Sequence, residues 1–189
     1  HEKNQSSKEK NNPFHWPLEY PEVFFCEKSG FDAVISNPPW GAELQASTHL
    51  LWKTYEGDKL DRLVDSFHLF VIRSSQLIGR GGACFSGLVV PDVLLYQEYS
   101  RPLREFLLKK CNISSVCNLG GEVFTGVTRP CCYVIFSADK KYGGEISVGK
   151  WHLDRVKSDE LAFNLPVSSL ESFPGCIIPT GNLAEFSQV

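Results

Sequence analysis

Gly30-Phe31-Asp32-Ala33-Val34-Ile35-Ser36-Asn37-Pro38-Pro39-Trp40-Gly41 constrains this chain more than any other stretch. Phe31 to Ile35 is apolar and partly β-branched, with Gly30 before it and two prolines after it, which predicts a short buried strand running into a rigid turn. Each proline fixes its own φ, and Pro39 pushes Pro38 into extended geometry. The turn therefore presents Asn37, the Pro38 carbonyl and the Trp40 ring in one arrangement. An amide, a bare carbonyl and an aromatic plate suit a flat ring that bears an amino group. In open α/β sheets ligands bind at the carboxyl ends of strands.

The rest of the chain reads as alternating elements around that turn. His1 to Asn12 is polar and reads as a linker, remnant or frayed tail. Phe14 to Phe24 is dense in aromatics, and its two prolines argue against a helix; it is expected to pack along a sheet edge. Glu43 to Lys59 reads as a loop or short helix over the site. Asp61 to Gly79 is an amphipathic helix with Leu60, Leu63, Val64, Phe67, Phe70, Val71, Ser74, Leu77 and Ile78 at three-and-four spacing, ended by Gly81-Gly82. Ala83 to Val90 is a strand. Asp92 to Lys110 is helical with an interruption before Pro102, where Ser100 is a candidate cap. Ile113 to Leu119, Cys131 to Ser137 and Glu145 to Trp151 are further strands, with a glycine-punctuated loop from Gly120 to Arg129. From Asp154 the apolar pattern loosens.

Composition narrows the function classes. Nineteen Lys and Arg against 22 Asp and Glu give a net charge of −3, which is not the basic body of a nucleic-acid-binding domain. If DNA is the substrate, much of the charge that grips phosphate lies elsewhere. No apolar run reaches the length of a membrane span, and no signal peptide is visible. The seven cysteines have no C-x-x-C spacing, so no metal site is expected. Cys26, Cys84, Cys117 and Cys132 read as reduced core thiols, and the compartment as cytosolic. The absence of Met and the start at His1 are read as the mark of a piece from a longer protein.

Asn-Pro-Pro-Trp after an apolar strand resembles the target-amine motif of S-adenosylmethionine-dependent amino-methyltransferases. The Phe14-x-Trp16 and Tyr20-Pro-Glu-Val-Phe24 segment upstream, and Gly121-Glu-Val-Phe124 downstream, resemble the adenine-specific DNA methylases of restriction–modification and phage-defence systems. The resemblance covers roughly Phe14 to Ala138. It implies an α/β fold: the C-terminal, substrate-side half of a Rossmann-like class I methyltransferase sheet with flanking helices. It implies catalytic roles for Asn37, Pro38, Pro39 and Trp40. The Asn37 side-chain oxygen and the Pro38 carbonyl accept the N–H bonds of a flipped adenine in double-stranded DNA, and Trp40 stacks on its face. Phe124 packs on the base from the other side. Asn37 and Phe70 touch the cofactor, S-adenosylmethionine. Plain packing remains an equal reading of Phe70 and Phe124.

That resemblance also implies what to look for and not find. The glycine-rich turn and ribose-binding acid of the family do not precede the motif. Residues 1–12 are thus expected to be a linker, 13–142 a partial catalytic domain, and 143–189 the start of a target-recognition or extension region. The 189-residue chain alone is expected to be inactive and to lack the N-terminal half of its own protein. Its unpaired strand edge at Phe31 to Ile35 is expected to self-associate or to be covered by Phe14 to Phe25. Two alternatives stand beside the DNA methylase: a methyltransferase acting on rRNA guanine or protein glutamine, and a non-catalytic DNA-binding or assembly module of a defence complex.

Overall fold

The computed structural model describes residues 14–41, 65–81, 83–139, 144–151 and 162–181. The expectations for the tail and for Glu43 to Lys59 lie outside those residues. In chain order the elements are α1 (Trp16–Glu19), α2 (Pro21–Phe24), β1 (Ala33–Ser36), α3 (Ser66–Leu77), β2 (Phe85–Pro91), α4 (Val93–Tyr96), α5 (Arg101–Lys110), β3 (Asn112–Gly120), β4 (Cys131–Ser137), β5 (Glu145–Lys150), β6 (Phe163–Pro166) and α6 (Val167–Ser172). The strands form one mixed sheet in the order β1-β2-β4-β3-β5-β6. β1 runs parallel to β2 and β3 parallel to β5, while the β2–β4, β4–β3 and β5–β6 pairs are antiparallel.

Strand alternation divides the sheet into two unlike faces. Leu88 and Val90 of β2, Val134 and Phe136 of β4, and Ile146 and Val148 of β5 are buried in one core with Phe67, Val71, Leu103, Leu107 and Leu170 from the helices. On the opposite face, the register sets Ala33 beside Phe85 and Ile35 beside Gly87. There Ile35 is 89% exposed and Phe85 41%. The β1–β2 end of this face thus carries exposed apolar side chains.

Phe14 to Phe24 is helical after all, in two single turns. Pro17 and Pro21 each stand in the first turn of a helix, where no N–H partner is needed, so proline starts these turns instead of breaking them. The segment does pack where the aromatics suggested. Trp16, Tyr20 and Phe24 surround the Phe31 ring with centroids 5.4–5.9 Å away. It gathers on one ring at the start of β1 and does not pair along the strand. Among the described residues, the only strand partner of β1 is β2.

Four details differ from the sequence reading. α3 ends at Leu77, and its extended C-cap, Ile78, joins Phe31 in a parallel bridge before Gly81 is reached. Ser100 does not cap α5 through its side chain; its hydroxyl goes to His68, and Pro102 sits harmlessly in the first turn. Cys26 is exposed at the end of α2, whereas Cys84, Cys117 and Cys132 are buried. The sheet also continues past the expected boundary near residue 142. β5 pairs with β3, Leu170 and Ile178 share the core, and the buried Arg104 guanidinium donates to the Gly175 carbonyl at 2.8 Å. The described part of the extension is built onto the sheet.

No helix among the described residues is long and apolar enough to cross a membrane, and no cluster of His, Cys, Asp or Glu there is arranged to hold a metal.

Candidate active site

The site begins where β1 ends. Asn37 is exposed at the carboxyl end of the strand, Pro38 is buried beneath it, and Trp40 is half-buried against the core. The N-terminus of α3 holds the far side of the turn. Ser66 Oγ donates to the Pro39 carbonyl at 2.7 Å, and the Gly41 N–H donates to both oxygens of Asp65 at 2.9 and 3.1 Å. The peptide groups on either side of Trp40 are therefore fixed by two adjacent side chains. Asp65 also caps α3 by accepting from the Phe67 N–H at 3.3 Å.

Phe124 reaches the turn from the loop between β3 and β4. Its ring and that of Trp40 are 6.0 Å apart at 65°, an edge-to-face contact. The two predicted base-contacting residues are brought together, and a base can enter between them only if the rings part. Phe70 lies one helical turn beyond Ser66, on the face of α3 that Ser66 uses to touch Pro39. It is 43% exposed, while Phe67, Val71 and Leu77 of the same helix are buried.

Sequence reasoning missed Asp65, Ser66 and Arg129. Arg129 Nη2 lies 3.6 Å from Asp65 Oδ2. A Cβ on Gly41, whose φ is +73°, would stand 3.3 Å from Arg129 Nη1, so glycine suits that position twice over. The only signal for Asp65 was an N-cap residue ahead of Ser66-Phe67.

Two polar groups at this end of the sheet are shifted by burial. Burial raises the Asp92 carboxyl, which follows β2, while the Tyr96 hydroxyl and Arg129 pull it back. His68, fully buried beside Asp65, has its pKa lowered from 6.5 to about 4, by burial first and with Asp65 opposing. Its Nε2 is 3.0 Å from Ser100 Oγ. The folded state thus holds a neutral imidazole with a pKa below the unfolded value. Its contribution to stability is fully present above about pH 6.5 and is lost as the pH falls toward about 4, amounting to at most about 3 kcal/mol. Urea unfolding should therefore show wild-type stability falling more steeply than that of His68→Gln across this window. Parallel profiles would contradict a buried neutral His68.

Over residues 1–124 the sequence matches the Eco57I restriction-modification methylase family. The chain belongs to that family. A Methanocaldococcus jannaschii protein described as a type II restriction enzyme and methyltransferase is 28% identical over 128 residues, which is 67% of this chain and 10% of that protein. The chain thus spans about a tenth of that relative's length. The modification subunit of a type I restriction enzyme from Vibrio vulnificus superposes with a TM-score of 0.62 at 16% identity, over 77% of this chain and 35% of that one. A protein described as a class I S-adenosylmethionine-dependent methyltransferase from Listeria monocytogenes superposes at 0.50 with 21% identity, over 64% of this chain and 36% of that one. At these identities the likeness is one of fold, and the fold is the α/β sheet of class I methyltransferases.

Proposed function

We propose that this Eco57I-family chain carries the substrate side of a DNA adenine-N6 methyltransferase that works within a restriction–modification system. The observation that carries the reading is the Asn37–Trp40 turn at the carboxyl end of β1, held rigid from behind by Asp65 and Ser66. S-adenosylmethionine, when bound, supplies an electrophilic methyl group on sulfonium. Two exposed groups would hold one edge of such a cofactor in this reading: the amide of Asn37 at the end of β1 and the ring of Phe70 on α3. The rest of its pocket, and most of the charge that grips DNA, belong to other parts of the intact protein.

In this reading the chain's own groups act on the target amine. The adenine N6 lone pair is delocalised into the ring and is a poor nucleophile. Asn37 Oδ1 and the Pro38 carbonyl accept its two N–H bonds and favour a pyramidal nitrogen whose lone pair faces the methyl group. As the nitrogen gains positive charge, its N–H groups become stronger donors, so the two fixed oxygens hold the transition state more tightly than the ground state. Asn in place of Ser at position 37 favours adenine over cytosine.

Trp40 supplies the stacking face, with Phe124 bracing it. Stacking on an aromatic side chain is worth about 1–3 kcal/mol per base. Trp40→Ala in the intact protein should therefore weaken binding of DNA whose target adenine is unpaired, read as fluorescence anisotropy of labelled DNA, about tenfold or more, and Trp40→Phe should be milder. An unchanged affinity would take Trp40 out of base binding. The acceptor class is tested by transfer of labelled methyl groups from S-adenosylmethionine to DNA, to rRNA and to protein side by side. Label in DNA supports the reading, and label only in rRNA or protein overturns it.

A further inference from the structure

We propose that Asp65 is a positioning residue that couples the turn carrying Trp40 to the loop carrying Phe124. The inference rests on the methyl-transfer reading of the Asn37 turn and adds a component to it. A helix cap needs one carboxylate oxygen, and Asp65 uses both. Oδ1 accepts from the Phe67 and Gly41 N–H groups, and Oδ2 accepts from Gly41 while facing the Arg129 guanidinium at 3.6 Å. The carboxylate is only 9% exposed, so these contacts are poorly screened by water.

The loop is built to transmit that contact. Its last two residues are fixed: Arg129 to Asp65, and Pro130 through a carbonyl that accepts from the Asp92 N–H at 3.2 Å. Between Phe124 and Arg129 the chain closes a tight turn, with the Val127 N–H donating to the Phe124 carbonyl at 3.0 Å and Gly126 at a φ of +77°. This short turned path ties Phe124 to the anchored Arg129 five residues on. Asp65 and Ser66 set the position of Trp40. One carboxylate thus spans both sides of the ring contact at 6.0 Å.

An ion pair with one partner, Arg129, 39% exposed at the surface adds little to stability. Geometry is where its effect falls, because methyl transfer needs the acceptor nitrogen in line and a displacement of about 1 Å can cost two orders of magnitude in rate. In the intact protein, Asp65→Asn and Arg129→Gln should each lower kcat for transfer to DNA about tenfold. KM for S-adenosylmethionine should stay within about twofold, since the pair is tied to Gly41 and to the loop that carries Phe124. The double variant should be no slower than the worse single one, because both changes remove the same link. Arg129→Lys should recover part of the loss by restoring the charge. Arg129 lies on the surface side of the pair, so its variants keep the test valid if Asp65→Asn unfolds. Wild-type kcat in Arg129→Gln, or single losses that multiply in the double variant, would overturn the coupling. If the intact wild type transfers no methyl group to DNA, it is the underlying methyltransferase reading that fails.

Discussion

Asn37→Ala in the intact protein should lower the single-turnover rate of methyl transfer about 100-fold or more, the usual consequence of removing one preorganised hydrogen-bonding group from a developing charge. Asn37 is exposed at the end of β1, and the turn behind it is fixed by Pro38, Pro39, Ser66 and Asp65. Stability and DNA affinity should therefore hardly change. The loss should appear in kcat, because the two oxygens bind the pyramidal, charge-bearing nitrogen better than the planar amine. A variant that turns over near the wild-type rate would remove Asn37 from the mechanism.

Gly30→Ala should cost about 3 kcal/mol or more of folding stability. Gly30 has a φ of +142°, which side chains rarely adopt. Immediately after it the backbone is stitched to the end of α3. The Phe31 N–H donates to the Leu77 carbonyl, and the Phe31 carbonyl accepts from the Gly79 N–H, both at 2.9 Å. A Cβ at Gly30 would stand 2.6 Å from the Gly79 nitrogen and 2.7 Å from the Ile78 carbonyl carbon. Those are backbone atoms and cannot rotate away, so Phe31 and with it β1 would have to move. Urea denaturation measures the loss directly. A change under about 1 kcal/mol would show that the start of β1 is looser than this packing implies.

The parts of this fold that were legible in the sequence are those fixed locally. The strand into Asn37-Pro38-Pro39-Trp40 is punctuated by glycine and proline, and β2 and β4 are short apolar runs between turn signals. The meeting of Trp40 and Phe124 was reachable only through the resemblance, since nothing local joins residues so far apart. Asp65 and Arg129 were missed for the same reason: the carboxylate accepts from Gly41, 24 residues upstream, and pairs with a loop beyond the next two strands. The helical turns at Pro17 and Pro21 were missed because a proline was weighed as a breaker when it stood at a helix start. The alternation at Glu145 to Trp151 gave β5 as a strand, but its pairing with β3, and the four-residue β6 beside it, were hidden because they are set by tertiary contact.

The central claim is that the Asn37 turn presents an adenine amino group for methylation. Mass spectrometry of nucleosides from unmethylated DNA, treated with the intact protein and S-adenosylmethionine, tests it most directly. The expected result is N6-methyladenine with the wild type and about a hundredth as much or less with Asn37→Ala at equal times. Methylated cytosine in its place, or equal N6-methyladenine from both proteins, would contradict the account.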